Sequence, residues 1–202
     1  YGFFKSFSQD PNPKILAEYL RRTFPGGTYQ LVYEAGCFGF WIQPQFQGLG
    51  IPCMVTHPAD VPTTDKQKKR KTDRVDARKL AMELAAGRLE GIYVPSVGAI
   101  TDRILVRTRA KMVKNQTRLK NQIKSVLTFL GIDIPFDSSQ HWSGRFMQWL
   151  DQLELPGSTA TTSLKVYLQL LQDTKNQVAQ STRQLRQLAR TSTYKPQVDL
   201  LR

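Results

Sequence analysis

Three carboxylates in the first half of the chain have the residue type and spacing of a metal site. Asp73 and Asp76 are three residues apart at the predicted start of a helix, so their side chains project from one face. Glu34 ends the predicted strand TYQLVYE, and functional groups of parallel α/β sheets collect at the carboxyl ends of strands. Divalent cations such as Mg²⁺ prefer oxygen ligands, and cleavage of a phosphodiester by two metal ions needs several carboxylates. The pattern predicts that Glu34, Asp73 and Asp76 bind Mg²⁺ or Mn²⁺ over a single patch.

The two aspartates lie inside the most basic stretch of the chain, KRKTDRVDARKLA at 69–81. Basic side chains position the phosphates of a nucleic acid, and nearby positive charge also keeps carboxylates ionised. The residues expected to do this are Lys68, Lys69, Arg70, Lys71 and Arg74. A second interpretation makes Asp73 only the N-cap of its helix and Asp76 an acid that favours the helix dipole. Glu34 is then a solvated strand end, and the basic run a solvated loop or a targeting patch.

The net charge of the chain indicates the class of its partner. The 202 residues carry a formal net charge of +13 and a pI near 10.0, which favours phosphate backbones or an anionic membrane surface. The membrane is the weaker alternative, because no apolar run approaches the roughly 20 residues that span a bilayer. The two cysteines have no disulfide or zinc spacing, and the two histidines no metal-ligand pattern. These observations predict a cytoplasmic protein that binds nucleic acid.

Strand and helix patterns alternate at short intervals over residues 1–95. The strand patterns are YGFFKSF, TYQLVYE and PCMVT, and the helical patterns are PKILAEYLRRTF, FGFWIQPQFQGLG and DRVDARKLAMELAAG. Gly87 is the expected C-terminal cap of the last helix. Alternation of this kind predicts an α/β domain with a mostly parallel sheet.

Residues 96–202 have the pattern of long helices. Apolar residues recur every seven positions in two segments, at 104–130 and at about 159–190. They are Leu105, Met112, Leu119 and Val126 in the first segment and Leu164, Leu171, Val178 and Leu185 in the second. Between them lies a short amphipathic helix, SGRFMQWLDQL. The pattern predicts an all-α antiparallel hairpin of long helices with a coiled-coil seam, which serves either a dimer or packing within one chain.

A basic stripe follows the face of the first long helix opposite its apolar seam. Residues 97–131 contain eight basic residues against one acidic residue. The stripe consists of Arg103, Arg107, Lys111, Lys114 and Arg118. We expect the last four to bind nucleic acid, and the alternative is a solvated face.

Several motifs in a fixed order resemble the DEDD transposases of bacterial insertion sequences. They are YEAGCFGFWI, HPADVP, KTDRVDARKLA, GRLEGIYVP and RTRAKMVKNQTRLKNQIKSVL, and the resemblance runs over essentially the whole chain. Members of this family are recombinases with a RuvC-like catalytic domain of the RNase H-like fold and a coiled-coil extension used in dimer and higher assembly. They use a structured RNA encoded by the element, the bridge RNA, to choose donor and target DNA. The resemblance implies a RuvC-like catalytic domain at 1–95, a helical coiled-coil domain at 96–202, and these DNA and RNA partners in a bacterial cytoplasm.

The resemblance also implies roles for individual residues. The glutamate of YEAG, Glu34, matches the second acidic residue of the family, and Asp73 and Asp76 match the third and fourth. Asp10 lies in the turn QDPNP, so the family's first aspartate, on an opening strand, has no counterpart. The family's C-terminal domain with its nucleophilic serine is expected to begin about where this sequence stops. We therefore expect a portion of a longer recombinase that is inactive alone.

Two other functions fit the same residues. One is a nucleic-acid-binding and assembly module in which the acids only stabilise helices. The other is a stand-alone RuvC-like nuclease, such as a junction resolvase, which needs the carboxylates but no guide RNA.

Overall fold

A computed structural model of the chain describes residues 5–60 and 72–201. The described residues are mostly helical, with one small sheet of two parallel strands. The chain divides into two compact units, Tyr1–Ser96 and Val97–Arg202.

The first unit follows the alternation of helix and strand that the sequence predicts. Its elements are α1 (Pro13–Thr23), β1 (Leu31–Glu34), α2 (Ile42–Gly48), β2 (Cys53–Thr56) and α3 (Asp73–Ala85). The strand predicted at 1–7 is wrong for residues 5–7, which belong to no strand. The Phe7 ring instead lies 4.9 Å from the Tyr19 ring of α1, so apolar contact with a helix competes with sheet pairing there.

The two strands pair in parallel and are covered by helices on both faces. Leu31 lies opposite Cys53, and Glu34 lies opposite Thr56. One face of the sheet packs on a buried cluster from α1, α2 and β2, which comprises Ala17, Phe46, Ile51 and Cys53. The other face packs on Leu80 of α3 and on Leu89. Since parallel strands need cover on both faces, this layering accounts for the apolar runs LVY and CMV.

Helix α3 is fixed against the sheet along its second half. Leu80 and Leu84 pack on Val32 of β1 and Met54 of β2. Gly87 follows the helix at a φ of 67°, a conformation that favours glycine, and confirms the predicted cap. The chain then returns to the sheet, where the Ile92 amide donates to the Val55 carbonyl at 2.8 Å. These contacts fix where the first turn of α3 lies.

The second unit is helical in its described residues. Its elements are α4 (Val97–Phe129), α5 (Gly144–Gln152), α6 (Ser158–Leu188) and α7 (Lys195–Leu200).

The two long helices α4 and α6 lie side by side and antiparallel. Near the start of α4, Arg109 Nε donates to Thr182 Oγ1 at 2.9 Å, close to the end of α6. Near the end of α4, Ile123 and Leu127 pack with the first half of α6. This pairing of beginning with end defines an antiparallel pair, while coiled-coil geometry and a dimer through it stay predictions.

The buried core of the second unit joins α4, α5 and α6. It contains Ile123, Leu127, Phe146, Leu150, Leu155, Leu164, Leu168 and Leu171. The seven-residue pattern includes Leu164 and Leu171 but misses Leu127 and Leu168. A straight helix presents residues at i+4 as well as i+7 to its neighbour, which explains both omissions.

Phe146 of α5 lies at the centre of an aromatic cluster and is fully buried. Its ring centroid is 5.6 Å from those of Phe136 and Trp149, and 5.2 Å from that of Trp142. We expect Phe146→Ala to lower the free energy of unfolding by about 3–5 kcal/mol, because a cavity replaces the ring. Urea unfolding followed by circular dichroism measures the change.

The matched control for this substitution is Phe129→Ala. The Phe129 side chain is 88% exposed, so its removal should change the free energy of unfolding by less than about 0.5 kcal/mol. Equal losses in the two variants would contradict the packing described for α5.

Candidate functional site

Glu34 is the last residue of β1, and the backbone hydrogen bonding between the strands extends one residue beyond it. It is half-buried and lies opposite Thr56, and the Ala35 amide donates to the Thr56 carbonyl at 2.9 Å. The Thr56 side chain is completely buried, and within the described part of the chain its hydroxyl has no hydrogen-bond partner. Pairing with β2 therefore fixes the backbone of Glu34, and with it the position from which its side chain extends.

The N-cap of α3 is Thr72, whose Oγ1 accepts a hydrogen bond from the Val75 amide at 3.4 Å. Asp73 and Asp76 are acidic residues of the first helical turn. Asp73 is exposed and Asp76 is half-buried. The interpretation of Asp73 as the N-cap is therefore wrong, because the preceding threonine caps the helix. Both aspartates still lie where negative charge favours the helix dipole.

The three predicted carboxylates line one cleft. Glu34 of β1 and Asp73 and Asp76 of α3 border an open cleft of about 400 Å³, whose apolar wall includes Val32 and Leu80. The described residues nevertheless contain no group of three Asp, Glu, His or Cys side chains close enough together to hold a metal ion. The structure brings the carboxylates to the same cleft without assembling them around one point.

None of the three carboxylates forms an ion pair within residues 5–60 and 72–201. Glu83, further along α3, is the contrasting case. Arg88 donates to its two carboxylate oxygens at 2.7 and 3.0 Å, and this hydrogen bonding lowers the pKa of Glu83. Glu83 thus has a basic partner, whereas Glu34, Asp73 and Asp76 have none among the described residues.

The basic residues predicted to bind phosphate fall in three places. Lys68, Lys69, Arg70 and Lys71 lie outside the described residues. Arg74 is exposed in the first turn of α3, between the two aspartates. Arg107, Lys111, Lys114 and Arg118 are exposed on α4 of the second unit. The described cations are therefore accessible to an anionic ligand.

Thr56, the strand partner of Glu34 behind this cleft, is a residue that the sequence did not single out. Its only signal is the strand register, which places it opposite Glu34. The register depends on how the two strands pair in three dimensions, so it cannot be read from the sequence PCMVT alone.

No helix among the described residues has the length and apolar content needed to cross a bilayer.

Comparisons with known proteins agree on one class. Residues 32–132 match the IS110-type DEDD family, which is described as Transposase. Putative transposase y4qE of Sinorhizobium fredii is 31% identical over 120 residues, which cover 59% of this chain and 30% of the relative. Putative transposase y4rJ of the same organism is 31% identical over 108 residues, which cover 50% of this chain and 27% of that relative. The chain thus spans less than a third of the length of either relative, and no solved structure matches it significantly.

The capping of α3 is testable by stability measurements. We expect Thr72→Ala to lower the free energy of unfolding by about 1 kcal/mol, because the Val75 amide loses its acceptor. Thr72→Ser keeps the hydroxyl and should stay close to the parent in urea unfolding. A loss of the same size in both variants would show that the hydroxyl does not cap the helix.

Proposed function

The chain belongs to the IS110-type DEDD transposase family, and on this premise we propose that its first unit carries the metal-binding carboxylates of an insertion-sequence transposase. The observation that carries the proposal is that Glu34, Asp73 and Asp76 line one cleft within the matched residues. Family membership implies an RNase H-like fold for this unit, and parallel strands covered by helices on both faces are consistent with that fold.

The donor chemistry of the cleft fits Mg²⁺ or Mn²⁺. Carboxylates without ion-pair partners among the described residues offer the hard oxygen atoms that these cations prefer. Mg²⁺ is usually held by one or two carboxylates, with water and substrate phosphates as the other ligands. The lack of a three-residue cluster among the described side chains is consistent with that mode of binding.

Each residue then has a distinct role in the proposed cleavage of DNA. Glu34 presents its carboxylate from the end of the half-buried strand β1, and the half-buried Asp76 presents a second one from the first turn of α3. Asp73 adds a third carboxylate at the exposed rim, and Arg74 supplies positive charge for a phosphate. Glu34, Asp73 and Asp76 would hold a divalent cation, which would supply polarisation of the scissile phosphate and activation of water.

The partners proposed for the complete protein are donor DNA, target DNA and a structured guide RNA. Phosphate contacts from the basic residues at 68–71 and from the exposed basic residues of α4 would position these nucleic acids. A dimer or higher oligomer would form through the coiled coil of α4 and α6, and the protein would act in the bacterial cytoplasm.

Substitution of single carboxylates tests the proposed chemistry. Glu34→Gln and Asp76→Asn keep side-chain size and remove one charge each. In the protein of the complete reading frame, we expect each variant to lose on the order of 100-fold or more in the rate of Mg²⁺-dependent DNA cleavage. The control is Glu18→Gln, at an exposed position of α1 outside the cleft, which should cleave at the parent rate.

The outcomes separate the three functions. Loss of recombination guided by RNA, with circular dichroism and melting temperature unchanged, supports the transposase. Parent activity in both variants overturns the carboxylate site and leaves a nucleic-acid-binding and assembly module. Cleavage of branched DNA in the absence of any RNA, abolished by the same variants, identifies a stand-alone nuclease.

The basic stripe of α4 is tested by the salt dependence of DNA binding. We expect Lys111→Gln combined with Lys114→Gln and Arg118→Gln to reduce the slope of log Kd against log salt by about three, since each phosphate contact on duplex DNA contributes about 0.9. Fluorescence anisotropy with a labelled duplex measures both quantities. An unchanged slope and affinity would identify the stripe as a solvated face.

A further inference from the structure

Three half-buried lysines lie close together on the second unit. They are Lys120 and Lys124 of α4 and Lys175 of α6. Burial lowers the pKa of Lys120, and the charges of Lys175 and Lys124 lower this pKa further. Within the described part of the chain, none of the three forms an ion pair with a carboxylate. The fold thus concentrates positive charge at a point where burial and repulsion both oppose it.

An indole ring lies against this group of lysines. The Lys120 ammonium is 5.2 Å from the centroid of the Trp142 ring, within cation–π range. Trp142 comes from the connection between α4 and α5, so three separate segments of the chain contribute to one place. Its ring is half-buried and meets the fully buried Phe146 ring edge to face, with centroids 5.2 Å apart.

The backbone of Trp142 is strained. Its φ is 72°, and it is the one non-glycine residue with positive φ in the part of the chain that the structure describes. That conformation is unfavourable for an L-residue, because Cβ comes too close to the following carbonyl oxygen. Packing on Phe146 and the contact with Lys120 hold the indole in place despite this cost. Such outliers concentrate at active sites, ligand clamps and switch regions.

The lysines belong to a surface other than the basic stripe of α4. At 100° per residue, Lys120 and Lys124 lie on average about a third of a turn around the helix from Arg107, Lys111, Lys114 and Arg118. They flank the apolar face through Ile123 and Leu127 that packs on α6. A ligand bound by the stripe would therefore leave these lysines without an anionic partner.

We propose that Lys120, Lys124, Lys175 and Trp142 form a binding site for single-stranded nucleic acid, distinct from the basic stripe. The lysines contact phosphates, and the indole offers a surface for an unpaired base. Sites for single strands combine these two elements, and a base in a duplex has no free face for an aromatic ring. This site deepens the proposed function and rests on its nucleic-acid partners, but it makes no use of the carboxylate cleft.

The experiment measures binding rather than cleavage. Fluorescence anisotropy of the 202-residue chain is recorded over a salt series with labelled 20-nucleotide oligothymidine, oligouridine and a 20-base-pair duplex. The variant combines Lys120→Gln, Lys124→Gln and Lys175→Gln. We expect it to reduce the single-strand slope of log Kd against log salt by about two, because each phosphate contact on a single strand contributes about 0.7.

A matched control separates a local site from overall charge. The combination of Lys165→Gln, Arg183→Gln and Arg186→Gln removes the same charge from exposed positions of α6 and should retain the parent slope. Equal slopes and affinities in the two triple variants overturn the proposal. A reduction with oligouridine but not oligothymidine supports it with RNA as the ligand, and the reverse result supports it with DNA.

Substitution of the indole tests the aromatic contact independently. Trp142→Leu should weaken single-strand binding on the order of tenfold, as expected for one stacked base, whereas Trp142→Phe keeps a ring and should lose less. An equal loss with the duplex, or no loss at all, overturns the proposal for single strands. Glu18→Gln, at an exposed position of α1 outside the cleft, should bind the single strand as the parent does. Because the assay records binding without cleavage, failure here and failure of the carboxylate site are distinguishable.

Discussion

The parallel pairing of β1 with β2 is the constraint on which the first unit depends. Parallel strands cannot be joined by a tight turn, so the chain must cross over through α2 before it returns to the sheet. Both faces of the pair need cover, and α1 with α2 supplies one face while α3 supplies the other. The carboxyl end of β1 and the first turn of α3 consequently border the same cleft. The position of Glu34 relative to the two aspartates thus follows from the pairing of two four-residue strands.

The cleft and the Glu83–Arg88 pair show two ways in which this unit treats acidic groups. Glu83 receives two hydrogen bonds from one guanidinium, which stabilises its charged form. The acids of the cleft have no basic partner among the described residues and lie next to apolar side chains. A structural role is sufficient to explain Glu83. The two aspartates lie where the dipole of α3 favours negative charge, and none of the three cleft acids has an ion-pair partner among the described residues.

Local pattern was sufficient to predict most helices and both strands, because burial on one face leaves a period that can be read directly. It placed the three carboxylates on the correct elements and identified the last turns of α3 through Gly87. Local pattern failed where contacts with other residues determine the structure that a segment adopts. Phe7 packs on Tyr19 of α1, and Thr72 takes the capping position that an aspartate could also occupy. The left-handed backbone of Trp142 opposes local preference altogether, and only contacts with distant residues explain it.

The antiparallel pair of long helices is held differently at its two ends. Helix α4 has 33 residues and a length of about 50 Å. All fully buried apolar residues of this unit that the structure describes lie toward the end that contains Ile123 and Leu171. Toward the other end the two helices are joined by polar contacts, such as Arg109 with Thr182, and Tyr194 of the following segment donates to Asp102 at 2.8 Å. We therefore expect amide protons near Asp102 to exchange with solvent faster than those near Ile123.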